Sequence, residues 1–220
     1  MLKGVIFDMD GVLVDNADIH IEALEIFFGR LGVDGWQDNI MECFGMGSNE
    51  IWEMLIPPHI LCRKPLEQWT REKEAIYREI YESRIKEVNG LTALLKELTA
   101  NGIKCAVGSS ACIENVEFVL DRCNIGSYFS QTVCGDDVKR CKPDPEIYLT
   151  AARKLGLEPS ECLVFEDAKA GIKAARNAGM KVVALATSLT RETLAAETDN
   201  DAIIDDFTST SVEKLRELFS

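Results

Sequence analysis

Short apolar runs recur along the chain, separated by segments whose apolar residues return every three or four positions. The runs are Gly4-Val5-Ile6-Phe7, Lys104-Cys105-Ala106-Val107, Thr132-Val133-Cys134, Leu163-Val164-Phe165, Val182-Val183-Ala184-Leu185 and Ala202-Ile203-Ile204. Each is too short for a helix and rich in β-forming residues, so each predicts a strand. Between them, Leu91 to Ala100, Ile113 to Cys123, Pro145 to Leu155 and Gly171 to Ala178 carry helical spacing, and Asn101-Gly102, Gly156 and Gly179 supply helix stops. Strand and helix in alternation over residues 90 to 207 predict an α/β fold built on a doubly wound parallel sheet.

Residues 15 to 88 break the alternation. They show amphipathic helices, Ile19 to Leu31 and Leu66 to Val88, and no convincing strand. The pattern predicts an inserted α-helical domain at 15–88, with the core formed by 1–14 and 89–220. In the second of these helices Trp69, Ile76, Tyr77 and Ile80 make an apolar stripe, and Lys73 falls inside it. Such a lysine either runs its stem out to water or serves a cleft. His20 shares a helix face with Leu24, Phe27 and Leu31, which suits either a packed histidine or a functional one.

Composition narrows the class. The chain has 220 residues, 46% hydrophobic and 28% charged, the balance of an ordinary globular protein. A net charge of −13 with no local Lys/Arg cluster argues against a nucleic acid or an anionic membrane as partner. The Gly4–Phe7 run is too short for a signal peptide and no run approaches a membrane span, so a cytoplasmic protein, expected to be monomeric, is predicted. The eight cysteines are scattered without a CxxC pair, which predicts buried reduced thiols rather than a zinc site.

In open parallel sheets ligands bind beyond the carboxyl ends of the strands. At those positions stand Asp8 and Asp10, Ser109 and Ser110, and Glu166 and Asp167, while Lys142 lies in a loop with Pro143 and Pro145. In extended chain residues two apart point the same way, so Asp8 and Asp10 can face one site, and Gly11 permits a sharp turn. Carboxylates gathered at one sheet edge repel unless a cation sits among them, and oxygen ligands without His or Cys select a hard ion such as Mg²⁺. A hard cation with a lysine and a serine suits a phosphoryl group in transfer. Asp8 is then a candidate nucleophile forming an aspartyl-phosphate, and Asp10 a general acid and then base. Taken singly, each feature has an ordinary reading as a turn, a helix cap or a solvated charge. Their shared position after strands of one sheet favours the chemical reading.

In the order "FDMDGVLVD", "VGSS", "CKPDPEIY" and "FEDAKAGIKAA", from Val5 to Met180, the chain resembles the four motifs of the haloacid dehalogenase superfamily of phosphotransferases. The helical insertion is similar to the cap of the branch that includes β-phosphoglucomutase. The resemblance implies Asp8 as nucleophile, Asp10 as acid/base, and Ser109 and Lys142 as phosphate holders. It further implies Mg²⁺ ligands in Asp8, the Asp10 carbonyl and Asp167, with Glu166 beside them. Substrate contacts are implied for His20, Lys73, Ser110 and the loop "FGMGSNE", through Gly45 and Asn49. The activity implied is hydrolysis of a small phosphate ester, a sugar phosphate. The alternatives are a β-phosphoglucomutase-type mutase, a pyrophosphatase and a non-catalytic phosphometabolite sensor. Asn49 stands where β-phosphoglucomutase-like sequences place an arginine suited to a second phosphate, which favours hydrolysis over isomerisation. Asn16 and Ala168 depart from the resemblance, since Ser or Thr is frequent at the first position and Ser at the second.

Overall fold

A computed structural model describes residues 1–38 and 48–220. Among these residues, strand β1 (Gly4–Phe7) is followed by helices α1 (Ala17–Leu31), α2 (Ser48–Leu55), α3 (Pro58–Leu61) and α4 (Leu66–Tyr81). Strands β2 (Lys104–Gly108), β3 (Gln131–Val133), β4 (Cys162–Glu166), β5 (Lys181–Leu185) and β6 (Ala202–Ile204) then alternate with helices α5 (Leu91–Ala100), α6 (Ile113–Arg122), α7 (Glu146–Leu155), α8 (Lys169–Asn177), α9 (Arg191–Glu197) and α10 (Val212–Glu217). The chain divides into two compact units, Met1–Asp15 with Ile85–Ser220, and Asn16–Arg84.

In the first unit the strands form one parallel sheet in the order β3-β2-β1-β4-β5-β6. Strands β1 and β4 lie at its centre with every residue buried, whereas edge strand β6 is only partly covered. A central parallel strand has both faces packed, which is why its sequence is an unbroken apolar run. Alternate residues of β1 serve different faces: Ile6 packs with Tyr148, Val164 and Ile172, while Phe7 stacks on Phe165 at 5.1 Å and Phe165 meets Phe207 edge-on at 5.1 Å. Burying each such side chain contributes about 1.5–3 kcal/mol. The chain winds outward from β1 through β2 to β3, then restarts at β4 on the other side of β1. That reversal opens a crevice beyond the carboxyl ends of β1 and β4.

The second unit is helical and closes on aromatic rings. Phe27 of α1 packs on Trp52 of α2 at 5.3 Å and on Trp69 of α4 at 6.1 Å, and Phe28 stacks on Trp36 at 5.1 Å. The buried indoles also satisfy their N–H groups, Trp52 donating to Thr70 Oγ1 and Trp69 to the Leu61 carbonyl.

Three expectations are corrected. Helix α4 ends at Tyr81, not Val88, because the Val88 N–H donates to the Leu13 carbonyl and Val14 pairs with Glu87. Residues 85–88 therefore belong with the sheet. The buried stripe of α4 is Trp69, Lys73, Ile76, Tyr77 and Tyr81, with Tyr81 taking the place expected of Ile80. The cysteines are not uniformly buried: Cys105, Cys134 and Cys162 are, but Cys62 and Cys141 are exposed, and Cys43 lies outside the described residues. Among the described residues no cysteine joins a group able to hold a metal.

Candidate active site

Strand register sets the site. Phe7 of β1 is level with Phe165 of β4 and Val107 of β2, so Asp8 emerges beside Glu166 and close to Ser109. The Asp8 N–H still donates to the Phe165 carbonyl at 3.0 Å, which fixes the backbone where the side chain leaves the sheet. The chain then wraps around the Met9 carbonyl, which accepts from the N–H groups of Val12, Leu13 and Val14. Gly11 makes the turn at φ +71°, and a Cβ there would stand 1.9 Å from Asp167 Oδ2. Glycine is required twice over, by the backbone angle and by the carboxylate that occupies the space.

Lys142 Nζ donates to Asp8 Oδ1 at 2.9 Å and to Glu166 Oε1 at 2.8 Å. Tyr148, fully buried on α7, donates its hydroxyl to the same Glu166 oxygen at 2.9 Å. The other oxygen, Oε2, accepts the backbone N–H groups of Asp167 and Ala168 at 2.8 and 2.9 Å. Two donors on each oxygen fill the acceptor directions of a carboxylate. Gly171 leaves room for this arrangement, since a Cβ on it would sit 1.6 Å from Glu166 Oε1.

Asp8, Glu166 and Asp167 each bring a carboxylate oxygen within 4.8 Å of the others, all buried. Burial pushes the Asp8 carboxyl up to about 7, with Glu166 and Asp10 adding to the rise and Lys142 opposing it. Burial, then Glu166 and Asp8, push Asp167 well above the usual carboxylate range, while a hydrogen bond from Ser188 works against this. Burial alone would lower Lys142, yet Asp8 and Glu166 carry it well above the ordinary lysine value. One ammonium thus faces more negative charge than it can offset, and the donor set is all oxygen. These residues fit a hard divalent cation.

Ser109 is buried after β2, its Oγ accepting the Ala111 N–H at 3.1 Å, and Ser110 is exposed. In the helical unit Lys73 is 7% exposed and does not run out to water: its Nζ lies 2.7 Å from His20 Nδ1 and 3.0 Å from Glu74 Oε1. The His20 ring stacks on Tyr77 at 4.2 Å, and the Tyr77 hydroxyl accepts from Asn16 Nδ2 at 2.6 Å. Asn16, where the resemblance favours Ser or Thr, thus reaches α4 from the start of α1. Gly45 lies outside the described residues, and Asn49 falls within α2.

Sequence reasoning missed Tyr148, Thr187 and Ser188. Tyr148 reads as one more apolar residue of α7, although its hydroxyl needed a buried partner. Thr187 and Ser188 follow β5 closely, and the rule used for three other strand ends, extended to this one, would have found them. Ser188 Oγ donates to Asp167 Oδ2, and Thr187 Oγ1 donates to the Gly11 carbonyl at 2.6 Å.

Comparison with known proteins gives a consistent picture. The sequence pattern described as haloacid dehalogenase-like hydrolase matches residues 5–185. The chain is 31% identical over 180 residues to a phosphorylated carbohydrates phosphatase of Thermotoga maritima, covering 82% of this chain and 83% of that protein. It is 29% identical over 190 residues to the fructose-1-phosphate phosphatase YqaB of Escherichia coli, covering 82% of this chain and 94% of that protein. Among solved structures, a β-phosphoglucomutase of Clostridium difficile superposes with a TM-score of 0.83 at 26% identity, covering 100% of this chain and 97% of the other.

Proposed function

The chain belongs to the haloacid dehalogenase-like hydrolases and is a phosphoric monoester hydrolase, and we propose that it is a Mg²⁺-dependent phosphatase acting on sugar phosphates through phospho-Asp8. The observation that carries this reading is the placement of Asp8 at the strand-order reversal, bonded to Lys142 and within one cluster with Asp167. In this reading Asp8 attacks phosphorus in line, and the bond from phosphorus to the ester oxygen breaks. Asp10 gives its proton to the departing oxygen, then takes one from the water that attacks phospho-Asp8, which releases phosphate and restores both carboxyls. Ser109 and Lys142 hold the phosphoryl oxygens. Asp8, Asp167 and the Asp10 carbonyl would hold the cation, whose chemistry is to offset charge on carboxylates and phosphoryl oxygens alike. Glu166, its oxygens already occupied, is assigned to fixing Lys142 instead. His20 and Lys73 are assigned to substrate recognition.

The test is phosphate release from a panel of sugar phosphates, nucleotides and pyrophosphate with Mg²⁺, including β-glucose 1-phosphate with a trace of the 1,6-bisphosphate. Sugar phosphates should lead, EDTA should silence the reaction, and Mg²⁺ should restore it. Conversion to glucose 6-phosphate with little free phosphate would overturn the hydrolytic reading.

A proton on Asp8 competes with the cation, so apparent Mg²⁺ affinity should rise as pH passes through about 7. The stability of the metal-free protein should move the other way. Folded Asp8 binds its proton more tightly than the unfolded residue, whose value is about 4. Stability in EDTA should therefore fall as pH rises between that value and about 7, and Mg²⁺ should offset the fall at pH 8. Melting curves in EDTA and in Mg²⁺ at pH 6 and pH 8 check both signs.

A further inference from the structure

We infer that Ser188, on the loop after β5, is the positioning residue that sets the orientation of the Asp167 carboxylate and with it the affinity for the divalent cation. The inference rests on the cation reading proposed above.

Asp167 is 4% exposed and leaves the end of β4 toward the turn at Gly11. A buried carboxylate on a two-bond stem can rotate unless something outside its own loop fixes it. Within its own loop, Ala168 has no polar side chain, and its N–H is given to Glu166. Ser188 makes that contact from the loop after a different strand, β5, donating its hydroxyl to Oδ2. The neighbouring Thr187 anchors the same loop to the catalytic turn through its hydrogen bond to the Gly11 carbonyl. The site of a Cβ on Gly11 would lie 1.9 Å from Asp167 Oδ2 and 3.1 Å from Ser188 Oγ, so turn, carboxylate and serine meet at one point. The loop after β5 therefore registers Asp167 against the turn that carries Asp8 and Asp10. Hydrogen bonds to a metal-ligating carboxylate typically alter metal affinity by about 10–100-fold.

The experiment measures Mn²⁺ binding directly, by electron paramagnetic resonance of the free ion, alongside Mg²⁺-dependent turnover. Ser188 itself is exposed, so Ser188→Ala is expected to fold. Its Mn²⁺ dissociation constant should rise about tenfold while kcat at saturating Mg²⁺ stays within about twofold, and Ser188→Thr should restore binding. Unchanged Mn²⁺ affinity in Ser188→Ala overturns the inference, as does a loss of kcat without a loss of binding. So does a Thr variant no better than the Ala one. If the parent protein binds no Mn²⁺, the cation reading itself fails; binding by the parent with no change in Ser188→Ala removes only the role of Ser188.

Discussion

Asp8→Asn is expected to give a folded protein that releases phosphate at least about a thousandfold more slowly than the parent. An amide is too poor a nucleophile to open the first step, and neither of the other two carboxyls of the buried cluster can replace it. Glu166 has its oxygens committed to Lys142, Tyr148 and two backbone N–H groups, and Asp167 is held through Ser188. Folding should survive, because asparagine is nearly isosteric and Lys142 keeps Glu166 as partner. The substitution also removes the carboxyl that burial pushes up to about 7, so the pH dependence of stability in EDTA should flatten. Phosphate release and melting at pH 6 and pH 8 measure both parts. More than a few per cent residual turnover in clean protein would contradict the nucleophile assignment.

Lys142→Met should damage both activity and fold. Lys142 bridges Asp8 and Glu166 with its side chain 9% exposed, and Asp8 and Glu166 are themselves buried. Removing one partner of a buried pair leaves uncompensated charge and costs about 3–5 kcal/mol. The loss should be larger at pH 8 than at pH 6, since at the lower pH Asp8 takes up a proton and needs the ammonium less. In the role proposed for Lys142 as a holder of phosphoryl oxygens, its loss should lower kcat by a further factor on the order of 100. Denaturant unfolding in EDTA at the two pH values reads the first effect. An unchanged midpoint at pH 8 would show that the pair contributes nothing to stability.

How far the sequence revealed this site depends on what each residue answers to. The central strands were legible because burial on both faces leaves no polar position inside Val5-Ile6-Phe7 or Leu163-Val164-Phe165, and the residues that follow them were legible by position. The end of α4 was not. Tyr77, Tyr81, Ile85 and Val88 continue helical spacing past the point where the chain leaves the helix, because Val88 is buried through the sheet unit and its N–H is taken by Leu13. Periodicity records burial but not which element provides it. Lys73 showed the same limit: its place in an apolar stripe was visible, whereas its partner His20, 53 residues away, was set by the packing of α1 on α4. Tyr148 and Ser188 act through carboxylates on other elements. Nothing local to Tyr148 announces its contact, and Ser188 is marked only by its place just after β5.

The central claim, covalent transfer through Asp8, is tested most directly by stereochemistry at phosphorus. A sugar phosphorothioate made chiral with one oxygen isotope would be hydrolysed in water carrying another, with Mg²⁺ present, and the configuration of the inorganic thiophosphate determined. Each in-line displacement inverts phosphorus, so attack by Asp8 followed by attack of water predicts net retention. Inversion would mean that water attacks the substrate directly, and the role given to Asp8 would be wrong.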